Sequence, residues 1–179
     1  MVIIMKIIEH RRHSIRVKPS KHISQEGVNL ARKVGEELGD FDRVFSSTAP
    51  RAIETAVAMG YAVDDTFEMI SQTPEKLGQE IEWGIDFQGY LEAYQKGGVV
   101  AEYAGELADF LKSLVEELPE DAKILVISHG GLLELSVIGC FPEEDYVSWG
   151  KPLDCCEGVR MFIDEGKYHN IDLLRENEK

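Results

Sequence analysis

The chain has 179 residues, 44% of them hydrophobic and 29% charged, with a formal net charge of −14 at pH 7. That length is enough to bury a sizeable core and points to one domain over residues 1–179, while the acidic balance argues against nucleic acid or an anionic membrane as a partner. No apolar run reaches the ~20 residues of a membrane span. The three cysteines, Cys140, Cys155 and Cys156, offer neither a disulfide framework nor a spaced zinc pattern, so packing cysteines in a reducing, cytoplasmic setting are expected.

In chain order, the apolar run Val2 to Ile8 reads as a buried strand. It lacks the basic leader and small-residue cleavage site of a signal peptide. Ser24 is an N-cap for a helix with Val28, Ala31, Val34 and Leu38 on one face, ended by Gly39-Asp40. A short strand, Arg43 to Phe45, precedes a helix that starts near Ala49-Pro50, with proline in the first turn. Phe67 to Ile70 is a candidate strand, and the glycines between 78 and 98 punctuate loops and short helices.

Further on, Tyr103, Leu107, Phe110, Leu111, Leu114 and Leu118 give one face of a long helix over Glu102 to Leu118. Lys123 to Ile127 is a strand and Leu132 to Ile138 a helix. Val159–Ile163 and Tyr168–Leu173, either side of Asp164-Glu165-Gly166, form a hairpin. Strands alternating with helices predict an α/β fold: a three-layer α/β/α sandwich with a mostly parallel central sheet. Arg12-His13 and His129 then lie just past the carboxyl ends of strands, where open α/β sheets bind ligands.

Those residues share a chemistry. Guanidiniums grip phosphate oxygens in a fork, and a neutral imidazole can attack phosphorus. Between His10 and Gln25 there is no acidic residue, yet Arg11, Arg12, Arg16, Lys18 and Lys21 fall there, so all 33 Asp and Glu lie elsewhere. A basic cluster on an acidic protein points to a small anionic substrate with a second negative group.

Arg12-His13-Ser14, Ile23-Ser24-Gln25-Glu26-Gly27, the stretch Ser46 to Ala56 with Pro50-Arg51 inside it, and Ser128-His129-Gly130-Gly131 follow one another. In that order they resemble the signature of the histidine phosphatase superfamily, the phosphoglycerate mutase-like proteins. The resemblance implies that family's fold and a phosphatase that hydrolyses a phosphomonoester through a phosphohistidine on His13. By that resemblance His129 is expected to be a second catalytic histidine and Arg12 and Arg51 to line the phosphate pocket, with Ser14 and Gly130 expected beside them. No cofactor or metal is implied, because the histidines have no Asp or Glu at ligand spacing. The expected partner is a small phosphorylated substrate; the oligomeric state is left open.

The leaving oxygen needs a proton. Glu80, in a Glu-x-x-x-Gly segment ending at Gly84, resembles the family's glutamate acid, with Glu82 and Asp86 as competitors. Two departures stand out. Ser14 replaces the motif glycine, adding a hydroxyl that could donate to the phosphate. Arg11 occupies a commonly apolar position, as a substrate contact or a salt bridge. His10 could be aimed at the pocket mouth by strand alternation, although a chemical role for it is not expected. Three alternatives accompany the phosphatase reading: a non-catalytic phosphate- or phosphoprotein-binding module, a phosphohistidine protein phosphatase, and a phosphoglycerate-type mutase.

Overall fold

The computed structural model describes residues 4–176. A six-stranded sheet runs in the order β3-β2-β4-β1-β5-β6. The strands are β1 (Lys6–Arg12), β2 (Arg43–Ser47), β3 (Asp65–Phe67), β4 (Lys123–Ser128), β5 (Gly158–Asp164) and β6 (Lys167–Leu174). β1, β4, β2 and β3 are mutually parallel, and the β5–β6 hairpin adds two antiparallel strands beyond β1. The helices are α1 (Gln25–Glu36), α2 (Pro50–Ala58), α3 (Phe87–Gln95), α4 (Gly98–Glu116) and α5 (Leu132–Cys140).

β4 sorts the layers by its period of two. Leu125 and Ile127 face Ala31, Val34, Ala52 and Ala56 of α1 and α2. Ile124 and Val126 face the other way, toward Tyr90 of α3, Leu107 and Leu111 of α4, and Leu133 and Val137 of α5. Both faces of the central strand are therefore covered, which is why it reads as an uninterrupted apolar run. The mostly parallel sandwich is the expected architecture.

Several boundaries differ from the expected ones. The first strand was expected over Val2 to Ile8, of which residues 2 and 3 lie outside the described residues; it runs instead through Glu9, His10 and Arg11. Those polar side chains are buried at 0%, 0% and 5% exposure because each finds a partner inside. Arg11 donates from Nε to Glu9 at 2.7 Å and from Nη1 to the Cys156 carbonyl at 2.8 Å, and Glu9 also takes Arg160 at 2.9 Å. Arg11 is thus a buried ion pair on the α1–α2 face and not an outward substrate contact.

Phe67 to Ile70 is not a strand: pairing ends at Phe67, and Glu68–Ile70 form a 3-10 turn. The first helix closes at Glu36, short of Gly39. The long helix starts four residues earlier than expected, at Gly98, and ends at Glu116. Among the described residues no helix is long and apolar enough to cross a membrane.

Candidate active site

Sheet register assembles the site before any side chain is considered. β1 and β4 pair with Arg12 opposite Ser128, so the next residues, His13 and His129, emerge side by side at the carboxyl ends of two central strands. His13 N–H donates to the Ser128 carbonyl at 2.9 Å. β2 pairs Ser46 with Ile127, which brings Ser47 next to His129. The two imidazoles lie 5.2 Å apart between centroids, tilted by 59°.

Each histidine is held in one tautomer. His13 Nδ1 meets the Ser14 carbonyl at 2.7 Å; a carbonyl only accepts, so Nδ1 carries the proton and Nε2 keeps its lone pair. Nε2 has no hydrogen-bond partner among the described residues. His129 Nδ1 meets Arg51 Nη2 at 3.0 Å. A guanidinium only donates, so this nitrogen accepts and His129 Nε2–H donates to Ser47 Oγ at 2.7 Å.

Burial, with the guanidiniums of Arg51, Arg12 and Arg16 reinforcing it and the Ser14 carbonyl opposing it, pulls His13 down to about 4. Burial, then Arg51, His13, Arg12 and Arg16, take His129 down to about 3. Both rings are neutral at pH 7.

The two arginines are presented differently. Arg51 sits in the first turn of α2, whose Thr55 hydroxyl donates back to the Arg51 carbonyl at 2.7 Å and accepts Ser14 N–H at 2.9 Å. This short chain fixes the start of α2 against the residue after His13. Arg12 ends β1, and its Nη1 donates to the Leu153 carbonyl at 2.6 Å. Its guanidinium lies on Gly130, where a Cβ would come within 2.9 Å of Arg12 Cζ. The Nε atoms of both Arg12 and Arg51 are buried without a hydrogen-bond partner. Two buried cationic donors with nothing to bind are the feature of an anion pocket.

The remaining candidates separate. Ser14 is fully buried, but its hydroxyl donates to the Gly27 carbonyl of α1 at 2.7 Å, so it ties α1 to the site and is committed away from the pocket. Gly130 is at the site as the floor beneath Arg12. Glu80 is exposed, with its carboxylate beside Gly98 at the start of α4. Glu82 is exposed, and Asp86 is the N-cap of α3, accepting Gly89 N–H at 2.8 Å.

His10 is not at the pocket mouth. It is wholly buried, with burial taking it down to about 3. Ser136 spends its one proton on the Leu133 carbonyl, so it accepts His10 Nδ1–H at 3.2 Å, and Ser128 Oγ donates to His10 Nε2 at 2.6 Å. His22 pairs with Glu54, and His169 is exposed. Among the described residues no group of three or more His, Cys, Asp or Glu is arranged to hold a metal ion.

Four residues at the site were not singled out from sequence. Ser47 and Thr55 lie inside the arginine-bearing motif, and only the fold gives them partners. Glu134, fully buried, takes Gly131 N–H at 2.6 Å and Leu153 N–H at 2.8 Å; its signal was a glutamate three residues into a helix. Burial raises its carboxyl while those N–H groups and Arg12 oppose the rise. Trp83 lies over Gly131, and no local pattern pointed to it.

The fold has solved counterparts. Phosphoserine phosphatase from Entamoeba histolytica, in complex with 3-phosphoglyceric acid, aligns with TM-score 0.68 at 17% identity, over 97% of this chain and 98% of that one. Phosphoglycerate mutase from Bacillus anthracis aligns with TM-score 0.66 at 14% identity, over 95% and 92%. The protein histidine phosphatase SixA, complexed with tungstate, aligns with TM-score 0.59 at 16% identity, over 93% and 96%. No sequence among curated proteins matches the chain. Residues 10–167 match the model of the histidine phosphatase superfamily, branch 1, and with that match over most of its length the chain belongs to this superfamily.

Proposed function

We propose that the chain is a phosphatase that hydrolyses a phosphomonoester through a phosphohistidine on His13. Membership of the superfamily supports a phosphatase or mutase type of enzyme. The observation that carries the finer reading is a neutral histidine with its Nε2 lone pair unengaged, beside two guanidiniums whose buried Nε atoms have no partner. Phosphate oxygens would complete those donors. Charge that spreads over the three equatorial oxygens in the transition state meets cations already in place.

In the first step His13 Nε2 forms a bond to phosphorus while the bond to the leaving oxygen breaks and its electron pair stays on that oxygen. The Ser14 carbonyl holds the Nδ1 proton and stabilises the ring as it becomes cationic. Water then attacks phosphorus, the P–N bond breaks, and the pair returns to Nε2. Arg12 and Arg51 bind the phosphoryl group throughout; His129, whose two nitrogens are engaged in the free protein, joins them by releasing Arg51 and taking up a proton at Nδ1. Cytoplasmic action on a small phosphorylated molecule, by a chain folded as one domain, completes the proposal.

Glu80 is the proposed acid for the leaving oxygen, and the carboxylate it leaves then takes the proton of the attacking water in the second step. Its carboxylate lies beside Gly98, so proton delivery requires the segment around it to turn toward the cleft when substrate binds. Catalytic hydrogen bonds often tighten only in the substrate complex. The same geometry favours one second reading, a phosphohistidine protein phosphatase, because an imidazole leaving group departs without an external carboxylic acid.

The test is hydrolysis of a generic aryl phosphate by wild type and His13→Ala, with quenched samples examined for phosphorylated enzyme. The expected result is turnover with an acid-labile, base-stable adduct, both lost in the variant. Near-normal turnover by His13→Ala would end the reading. Phosphate binding without turnover or adduct would favour a non-catalytic binding module.

A further inference from the structure

The turn after His129 carries two glycines in succession, and each supports a different side chain. The Arg12 guanidinium lies on Gly130. On Gly131, whose φ is +84°, lies the indole of Trp83: a Cβ there would stand 2.7 Å from Cε3 and 2.8 Å from Cζ3. Neighbouring Cα atoms are ~3.8 Å apart, so a phosphate-gripping cation and an aromatic ring rest side by side on one floor. Between them opens a cleft of about 300 Å³, closed by Tyr90 and Pro152.

The cleft has few polar groups. Tyr90 hydroxyl accepts Gly84 N–H at 3.3 Å and keeps its own O–H to donate, and Glu134 is occupied by the Gly131 and Leu153 N–H groups. Among the described residues Arg12 is the one cation lining the cleft, and a bound phosphoryl group would claim it. A leaving group that carries its own carboxylate, such as serine or glycerate, finds no counter-ion there. A flat apolar group finds an indole that is 43% exposed, high for so large an apolar side chain. There is also room, since an apolar cavity of ~150 Å³ accommodates benzene.

We infer that this cleft is the leaving-group subsite and that it takes a planar, apolar group, as in an aryl phosphate, laid on Trp83. The inference rests on the phosphatase reading and narrows its substrate class. It replaces the second negative group that the basic segment suggested with a flat apolar one. Trp83 is the specificity-determining residue, and Arg12 supplies the phosphate anchor common to all substrates.

Aryl esters are intrinsically more reactive than alkyl esters, so the test uses binding rather than rate. Phenylphosphonate, 2-aminoethylphosphonate and inorganic phosphate are titrated calorimetrically into the full chain, as wild type, Trp83→Ala and Trp83→Phe. Wild type is expected to bind phenylphosphonate about tenfold more tightly than 2-aminoethylphosphonate. Trp83→Ala should erase that preference and Trp83→Phe retain most of it, with inorganic phosphate affinity unchanged within about twofold.

Equal binding of the two phosphonates by wild type, with phosphate still bound, overturns the subsite and leaves the phosphatase reading standing. So does a preference that survives Trp83→Ala. If none of the three ligands binds, the phosphatase reading falls and the subsite falls with it.

Discussion

Two regions border the cleft and are built on different terms. At the carboxyl ends of β1, β2 and β4, each reacting side chain is fixed by a hydrogen-bond partner: His13 by the carbonyl of the next residue, Ser14, His129 by Ser47 on β2 and Arg51 at the start of α2, and Arg12 by Leu153 in the loop before β5. Between Ser71 and Gly98 the chain is instead a 3-10 turn, a loop and the nine-residue α3. That region offers the cleft Trp83, Gly84 and Tyr90, and it places Glu80 beside Gly98. Positions to which phosphoryl transfer is sensitive at the ångström level sit on the rigid part. The part that meets the rest of the substrate sits where side chains can be exchanged or moved without disturbing the sheet.

If the division is real, the rigid side should give the largest losses. Arg51→Ala is expected to lower kcat/KM on an aryl phosphate by about 10²–10³-fold, some 3–4 kcal/mol, the usual cost of removing one preorganised donor to a developing anion. The same variant removes a cation that depresses His129. The His129 titration, followed by NMR, should therefore move up from about 3. A rate within threefold of wild type would show that Arg51 does not contact the phosphoryl group.

Glu134 tests how Arg12 is held. Its carboxylate binds the Leu153 N–H, and the carbonyl of that same residue accepts Arg12 Nη1, so the carboxylate aims the guanidinium through one residue's backbone without touching phosphate. Glu134→Ala should weaken inorganic phosphate binding by about tenfold, a smaller effect than loss of a direct ligand. It should also lower stability by about 1–3 kcal/mol, because two buried N–H groups lose their acceptor. Loss of stability with phosphate affinity intact would make Glu134 a structural cap only.

Glu80→Gln probes the side that meets the rest of the substrate. An alkyl phosphate should slow by roughly tenfold to a hundredfold, the lower range of a general-acid effect. An aryl phosphate, whose leaving oxygen needs less protonation, should change by less than about threefold. If neither slows, Glu80 is not the acid and the phosphohistidine substrate becomes the better reading.

The same division marks what was legible in the sequence. β4 announces itself as a continuous apolar run, α1 and α4 by their helical period, and Arg12-His13 and His129 by the strands that precede them. These are local patterns, and parallel pairing of β1 with β4 then had to bring the two histidines together. The contact of Ser47 with His129 spans 82 residues and depends on which strand lies next to β4, so nothing local encodes it. Ser14 was expected in the pocket and lies instead against α1 for a related reason: whether a small polar side chain points into a pocket or into a helix backbone is decided by packing. Around Glu80 no periodicity exists to fix a face, and the same Glu-x-x-x-Gly spelling is compatible with a carboxylate turned either way.

The smallest effect separates two histidines of one strand. His10 and His13 are three residues apart and both are depressed by burial, yet His10 has both nitrogens engaged by serines and His13 keeps one unengaged. In the unfolded chain each takes up a proton near pH 6.5, whereas in the folded protein His10 resists protonation until about pH 3. The unfolded state thus binds more protons as pH falls, and the stability due to neutral His10 is full above pH 6.5 and lost progressively toward pH 3. Its share of the slope is at most about 1.4 kcal/mol per pH unit. Urea unfolding of wild type and His10→Asn between pH 6.5 and 4 should show the variant less stable at pH 7 but with a shallower decline, by roughly 1 kcal/mol per unit. Turnover at pH 7 should fall only slightly, since His10 touches no reacting atom and braces Ser128, whose carbonyl takes the His13 N–H. Parallel declines in the two proteins would mean that His10 is already protonated in the fold, and that Ser128 and Ser136 are arranged around a cation.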